Sequence, residues 1–383
     1  MEILTELGRA ALVAASRETD PGSLGAAGRM RKEFSPELAA AALSQVALRR
    51  KASPKFPRSA EMVFTSAGLE QATRHPVSVW RAQQFVAAGV SEVFDLGCGI
   101  GADAMAFLEA GMSVHAVEAD PDTAALATAN LSLLGGSTVQ VGNAEDVPVP
   151  DGAGVFLDPA RRTGRGRTWR VEDFSPPWSL VLQHLSSPRF TCVKMGPGLP
   201  KELIPDGVRA SWVSHRGDVV ETSLWNGPGP SRAAIVFPRD GSEPVELSTD
   251  QPRMLSVGPL GRFIIEPDNA VIRAGLVTEI APESDIWLLH NQIAYLSSDE
   301  PVVSPLADCF EVTAVLPYDP RAIRPHIRHE EIGTLEIKCR GVDVDPAALR
   351  RTLKPKGPRS ATLLLLRTPD GAVAAIAHRI AAD

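Results

Sequence analysis

The sequence predicts an α/β protein: a largely parallel sheet at its centre, a helical region before it and an α+β module after it. Three observations carry this expectation. From residue 91 onward, short strands rich in Val and Phe alternate with helix-like segments, the pattern of a parallel sheet covered on both faces. A glycine-rich turn, Asp95-Leu-Gly-Cys-Gly-Ile-Gly101, joins the first of these strands to the helix that follows it. The chain has 383 residues, of which 44% are hydrophobic, enough for two or three domains and a sizeable core.

Residues 1–90 read as helical, with Ala/Leu-rich stretches at 6–17 and 36–50, another at 76–88, and Pro/Gly-containing joints at 20–25 and 53–59. Residues 91–240 carry the alternation: SEVFDLG, SVHAVEAD, TVQVG, GVFLD and RFTCVKM as strands, with GADAMAFLEAG and DPDTAALATANLSLLG as helices between them. VRASWVSH, DVVETSLW and RAAIVFP then read as consecutive strands forming an antiparallel edge. Residues 241–383 follow a polar, Pro-containing boundary. There TLEIKCR, SATLLLLR and AVAAIAHR read as strands and DPAALRRTLK as a helix, started by Asp345 as N-cap and Pro346 in the first turn.

Composition narrows the function classes. No apolar run reaches the length of a membrane span, and the acidic N-terminus lacks the charge of a signal peptide, so a cytoplasmic location is expected. Cys98, Cys192, Cys309 and Cys339 are too far apart for a CxxC site or a disulfide framework. The net charge of −7 argues against a nucleic-acid partner until it is resolved along the chain. Residues 29–58 hold eight Lys/Arg against two acids, residues 161–170 five Arg and no acid, and residues 318–367 eleven Lys/Arg against six acids. These islands sum to +16 and leave −23 elsewhere. Phosphate binding answers to such local patches rather than to the total.

Gly97, Gly99 and Gly101 permit a tight turn and bring backbone close to a ligand at a helix N-terminus. That pattern alone fits either a dinucleotide or S-adenosylmethionine. Asp95, two residues before the first glycine, favours the second, because it can receive a cationic amino group that a pyrophosphate lacks. Glu118, at the end of the next strand, can accept from two ribose hydroxyls in either class. After the third strand, Asn143 offers a side-chain acceptor and Ala144 a backbone N–H, suited to an adenine edge. The fourth strand ends in Asp158-Pro159-Ala160-Arg161, at the carboxyl edge where open α/β sheets bind ligands. A carboxylate beside a proline-exposed carbonyl there suits orienting an amine or ring nitrogen for methyl transfer.

With DLGCGIG, Glu118, NAED and DPAR in order and at ordinary spacing, residues 91–238 resemble a Rossmann-like class I S-adenosylmethionine-dependent methyltransferase. Nearly the whole chain resembles bacterial methyltransferases that add a helical N-terminal region and a C-terminal α+β, THUMP-like domain. The residues that carry this are KASPKFP, GLEQAT (68–73), DPARR with RGRTW, EPDNAVIRAG (266–275) and EIKCRGVDVDPAALRRTLK. The resemblance implies S-adenosylmethionine held by Asp95, Gly97, Cys98, Gly99, Gly101, Glu118, Ala119, Asn143, Ala144 and Asp158, with no metal. Asp158, Pro159 and Arg161 would act on the acceptor. THUMP domains bind RNA, so an RNA substrate, tRNA or rRNA, is implied; the alternatives are a methyltransferase for a small molecule or protein, and a non-catalytic RNA-binding protein that retains the cofactor pocket.

Two departures from the family pattern qualify the chemistry. DPAR replaces the [DN]PP[YF] of many amino-methylating enzymes, so Arg161 stands where an aromatic would stack the target base. DPAR is nearer the DPPR of pyrimidine-C5 methyltransferases, but Cys192 lies within a strand and reads as a buried residue rather than their nucleophile. Ser175-Pro-Pro-Trp178 is distantly similar to the SPPW of trimethylguanosine synthases, yet it reads equally as a helix start with Ser175 as cap. Trp169 and Trp178 are therefore base-stacking candidates. Arg161, Arg162, Arg165 and Arg167, in RRTGRGRTWR, are candidates for binding the RNA backbone, as are the 29–58 island and the C-terminal domain. His326-x-x-His329 has no third ligand nearby and reads as surface; His75 and residues 70–73 are expected near the cofactor mouth.

Overall fold

The computed structural model describes residues 2–136, 138–161, 170–369 and 371–380. The chain packs as two compact units: residues 1–208 with 223–228, and residues 209–222 with 229–383.

The first unit begins with three helices, α1 (Glu6–Ser16), α2 (Leu24–Met30) and α3 (Pro36–Ala52). Thr5, Ser23 and Ser35 cap them, each side chain accepting from the N–H three residues on. Their small faces (Ala11, Ala15, Ala26, Ala39, Ala42) close around Leu12, Met30, Leu38 and Val46 in a core of their own. The chain then runs through α4 (Ser66–Gln71) and α5 (His75–Ala87). Here it changes allegiance: Phe56, Met62, Phe64 and Leu69 are buried in one cluster with Cys98, Ile100 and Ala102 of the glycine loop.

The sheet follows in the alternation expected: β1 (Glu92–Leu96), α6 (Ala102–Glu109), β2 (Ser113–Glu118), α7 (Pro121–Ser132), β3 (Gln140–Val141) and β4 (Gly154–Leu157). A short hairpin, β5 (Ala160–Arg161) with β6 (Phe174–Ser175), precedes α8 (Trp178–Leu185) and β7 (Thr191–Met195). The order β7-β4-β1-β2-β3 is parallel throughout. Burial on both faces explains why β4, Gly-Val-Phe-Leu, is apolar at every position. The carboxyl ends of these strands therefore share one edge, at Leu96, Glu118, Val141, Leu157 and Met195.

In the second unit, β8 (Arg209–His215) pairs with β10 (Arg232–Phe237), and β10 with β11 (Val245–Ser248). Strand β9 (Asp218–Trp225) contributes residues to both units. The expected succession of antiparallel neighbours needs correction here: β8 and β10 run parallel, Arg232 opposite Ala210, and only β11 is antiparallel to β10.

A seven-stranded sheet completes this unit, built from β12 (Phe263–Pro267), β13 (Trp287–Leu288), β14 (Leu296–Ser298), β15 (Ala307–Pro317), β16 (Ile332–Arg340), β17 (Arg359–Thr368) and β18 (Gly371–Arg379). Its order is β13-β14-β12-β15-β18-β17-β16, antiparallel except for β16 beside β17. Two helices cover it, α10 (Pro320–His329) and α11 (Pro346–Leu353), whereas α9 (Asn269–Ala274) packs against β8 and β10. The run Leu363–Leu366 shows how both faces are filled. Leu363 and Leu365 pack with Ile323, Ile327, Leu349 and Leu353 of α10 and α11, while Leu364 and Leu366 pack with Ile264, Tyr295 and Phe310.

Asp345 and Pro346 start α11 as expected, the aspartate accepting from the Ala347 N–H. Helix α10 was not evident from the sequence, where Pro325 stands in its interior. Its signals were Asp319-Pro320 at the start and Ile323/Ile327 one turn apart.

A buried ion pair joins the helical region to the sheet. Arg81 of α5, fully buried, donates to Asp103 in the first turn of α6, and the Thr73 hydroxyl donates to the other oxygen of the same carboxylate at 2.7 Å. Removing the guanidinium strands a buried charge, which typically costs about 3–5 kcal/mol. Arg81→Met is therefore expected to lower the unfolding free energy measured by urea titration by that amount, whereas Asp103→Asn combined with Arg81→Met recovers part of the loss.

Candidate functional site

The glycine loop leaves β1 at the sheet's carboxyl edge. Gly97, Gly99 and Gly101 have φ of 94°, 56° and 82°, left-handed values that favour glycine. The Gly97 and Cys98 N–H groups both donate to the Val117 carbonyl of β2 at 2.9 Å, fixing the loop to its neighbour strand. From above, Gly68 of GLEQAT presses on Ile100: a Cβ there would stand 2.6 Å from Ile100 Cγ2. From α7, buried Asn130 donates to the Ile100 carbonyl at 2.9 Å and exchanges hydrogen bonds with both backbone groups of Val63. The loop is thus clamped by segments some thirty residues away on either side.

Asp95 is fully buried on β1, and among the described residues neither of its carboxylate oxygens has a hydrogen-bond partner. Burial pushes its pKa well above the ordinary carboxylate value; Asp103 and Asp158 push the same way, Arg81 opposes them and Glu118 adds a little. A buried carboxylate without a donor is costly, and a cation is the group that relieves it. Glu118 is held in a different manner: its two oxygens accept from the Gly99 N–H at 2.9 Å and the Asp120 N–H at 3.0 Å. Exposed Ala119 lies between these points of attachment. At the third strand's end, Asn143 donates its amide nitrogen to Asp146 at 3.3 Å, so its carbonyl oxygen is the group that accepts. Ala144, beside it, is buried.

At the fourth strand's end, Asp158 meets a residue that sequence reading had missed. Leu157 of β4 pairs with Val193 of β7, so the next residues along, Asp158 and Lys194, come side by side. Lys194 Nζ stands 2.5 Å from Asp158 Oδ2 and donates to the Gln71 carbonyl at 3.1 Å. Lys55 of KASPKFP lies nearby, donating to the Leu69 and Glu70 carbonyls at 2.6 and 3.2 Å. Burial first, then repulsion from Lys194 and Arg74, lowers the Lys55 amine to about 8. The one clue to Lys194 was its position as the lone charge near the end of an apolar strand.

The β5–β6 hairpin decides the standing of SPPW. Ala160 pairs with Ser175 and Arg161 with Phe174, so the chain returns to the strand end it has just left. Pro176 Cδ lies 3.6 Å from where a Gly97 Cβ would be. Ser175 is therefore a strand residue and not a cap; α8 starts at Trp178 after Pro177, without a side-chain cap. Trp178 is half-buried, its ring 5.9 Å from that of Phe174. DPAR and SPPW, which competed for one place in the sequence, adjoin in space.

Other expected residues fall as follows. Pro159 is buried beside Asp158. Arg161 lies in β5; its side chain, and all of Arg162, Arg165, Arg167 and Trp169, lie outside the described residues. Cys98 is buried, which drives its thiol pKa well up, and Asp95 and Glu118 add to the effect. Cys192 is fully buried within β7. His75 pairs with Glu109, at the end of α6 remote from the glycine loop, and not with the cofactor mouth as expected. Residues 70–73 do reach the site, through the Gln71 carbonyl and the Thr73 hydroxyl.

The donor set fits S-adenosylmethionine: an unpartnered buried carboxylate for its ammonium, a glycine turn at a helix N-terminus, and a fixed acid at the second strand for ribose. Comparisons with known proteins agree. Residues 94–155 match the methyltransferase domain family, residues 307–379 the THUMP domain-like family, and residues 1–52 a domain of unknown function, DUF8688. Uncharacterized S-adenosylmethionine-dependent methyltransferases from two strains of Mycobacterium tuberculosis are each 33% identical over 341 residues, covering 85% of this chain and 92% of theirs. The solved structure of a candidate methyltransferase from Porphyromonas gingivalis superposes with a TM-score of 0.71 at 19% identity, over 98% of this chain and 99% of that one. The chain belongs to the S-adenosylmethionine-dependent methyltransferases, and within them carries a C-terminal THUMP-like domain. No helix among its described residues is long and apolar enough to cross a membrane.

Asp95 supplies a pH signature. Burial favours its protonated form and a cationic ligand its ionised form, so binding expels a proton. Affinity for S-adenosylmethionine is expected to fall as pH is lowered while still above the ordinary carboxylate range. Calorimetry in buffers of different ionisation enthalpy should register the released proton. Asp95→Asn should weaken binding about 10- to 100-fold, the loss of roughly 1.4–2.8 kcal/mol, and abolish the proton release.

Proposed function

We propose that the enzyme methylates a nitrogen of a base in RNA. The observation that carries the RNA reading is the surface of the THUMP-like domain. Helices α10 and α11 bury Ile323, Ile327, Leu349 and Leu353 and turn their other faces outward. Arg321, Arg328, Arg350, Arg351 and Lys354 are exposed there, and Lys356 follows. Among the described residues none of these six is in an ion pair; Arg359 beside them is, with Glu330 at 3.1 Å. Unpaired guanidinium and ammonium groups on one helical layer suit a phosphate backbone. The five arginines of residues 161–170 add sequence support at the catalytic edge.

The 29–58 island supports the reading less than its charge suggested. Arg29 pairs with Glu18, Arg58 with Glu61 and Lys51 with Glu70, while Arg49, Arg50 and Lys55 donate to backbone carbonyls. Those bases stitch the helical region together.

Nitrogen is favoured by the groups at the fourth strand. When bound, S-adenosylmethionine supplies an electrophilic methyl group that an acceptor lone pair displaces from sulfur. The Asp158 carboxylate, beside Lys194, accepts from an acceptor N–H and so turns the nitrogen lone pair toward the methyl position. A carbon acceptor of the pyrimidine-C5 kind needs a thiolate, and Cys192 is fully buried within β7 while burial pushes the Cys98 thiol pKa well up. Trp178, on the strand-end side of the hairpin, supplies a face on which a base can stack.

Labelled methyl transfer to total RNA, to protein and to small metabolites tests the reading. Label is expected in RNA, released on hydrolysis as an N-methylated base, and Asp158→Ala should reduce it at least about 100-fold. Label confined to protein or metabolites would overturn the RNA assignment. Replacing Arg328, Arg350 and Arg351 by Ala should weaken RNA binding and flatten its salt dependence by about 0.7–0.9 per lost phosphate contact, with cofactor affinity unchanged.

A further inference from the structure

Lys194 has no place in the motifs that define this fold, yet its ammonium stands 2.5 Å from the carboxylate at the fourth strand. Its side chain is only 11% exposed, against 32% for Asp158. An ammonium so enclosed at the end of the buried strand Thr191–Met195 carries a desolvation cost that a methionine or leucine would avoid. The strand register accounts for its position without any loop: Val193 opposite Leu157 sets Lys194 beside Asp158 on adjacent parallel strands. Its bond to the Gln71 carbonyl at 3.1 Å leads out of the sheet to the C-terminal end of α4. That same segment touches the glycine loop through Gly68 and Ile100. Lys194 therefore stands where the acceptor carboxylate, the GLEQAT turn and the cofactor loop adjoin.

We propose that Lys194 is the positioning residue of Asp158: it fixes the orientation of the carboxylate that receives the methyl acceptor, and it ties that orientation to the turn at residues 68–73. The inference rests on the assignment of Asp158 to the acceptor. A carboxylate at a strand end has two soft side-chain torsions. With Oδ2 held by an ammonium that is itself anchored to a backbone carbonyl, those torsions are fixed before the acceptor arrives. Flanking charges bear on the same point: Asp95 on β1 lies near enough to Asp158 for mutual repulsion, while Lys55 below the GLEQAT turn attracts it. Without Lys194 the carboxylate would be drawn toward Lys55 and away from the acceptor. In the transfer itself the acceptor nitrogen forms the new N–C bond, sulfur keeps the electron pair of the broken S–C bond and becomes a neutral thioether, and the nitrogen's proton leaves to water. Lys194 takes no part in these exchanges.

The test is a double-mutant cycle in the full-length protein, using labelled S-adenosylmethionine and total RNA. Lys194→Met should lower kcat about 10- to 100-fold, with KM for RNA and the calorimetric Kd for S-adenosylmethionine within about twofold of wild type. Lys194→Arg, which keeps the charge, should restore most of the rate. On an Asp158→Asn background, Lys194→Met should cause no further loss, because both changes remove one unit. A Lys194→Met enzyme with wild-type kcat, or losses that multiply across the cycle, would overturn the proposal. So would a raised cofactor Kd matching the lost rate, which would make the residue a prop for the cofactor loop. Should Lys194→Met lower the thermal midpoint so far that it does not fold, Lys194→Gln against Lys194→Arg poses the same question. If the wild-type enzyme labels protein or metabolites instead of RNA, the substrate reading falls and the cycle is run on the fraction that accepts the methyl group.

Discussion

A carboxylate buried in the first turn of α6 is the constraint on which much of the first unit depends. Asp103 sits two residues after the last glycine of the loop, and it is met there by Arg81 from α5 and Thr73 from the turn before it. Neither the guanidinium, which is wholly enclosed, nor the acid is tolerable there without the other. The pair therefore obliges the helical segment 73–87 to lie against the glycine loop. Once it does, Gly68 reaches Ile100, the Gln71 carbonyl reaches Lys194, and Arg81 packs its guanidinium 4.7 Å over the Phe156 ring of β4.

This arrangement explains why one edge of the sheet gathers so many acids. Burial first, then the charges of Asp103 and Asp158 and, to a lesser extent, Glu118, push the pKa of Asp95 up. Three are compensated by partners within the protein: Asp103 by Arg81 and Thr73, Glu118 by two backbone N–H groups, Asp158 by Lys194. Asp95 is the one left to a ligand. A buried carboxylate without a donor would favour a ligand carrying an ammonium over a pyrophosphate.

Charge is divided by a similar logic. Six of the eight bases at residues 29–58 are engaged by carbonyls and neighbouring acids, and so fasten the helical region. The island of the THUMP-like domain is turned outward, since α10 and α11 need only their isoleucine and leucine faces to cover the sheet. Two stretches with nearly equal net charge thus have opposite physical roles, and the difference lies in what surrounds them.

The sequence by itself determined the features whose causes lie within a few residues. Left-handed glycines at 97, 99 and 101, Asp-Pro at the start of α11, and the strand–helix alternation all follow from local backbone sterics, capping and hydrophobic period. From these the class of fold and the cofactor were legible. Only tertiary structure decided what depends on residues distant in the chain. Register across parallel strands set Lys194 beside Asp158, 36 positions apart. A hairpin of two-residue strands brought SPPW back to DPAR, and β8 paired in parallel with β10, with β9 between them in the sequence. Helix α10 formed in spite of Pro325 because Ile323 and Ile327 had a sheet to cover. Such pairings leave no periodic trace in a single sequence, since their energy comes from burial shared between segments and not from the preference of either one.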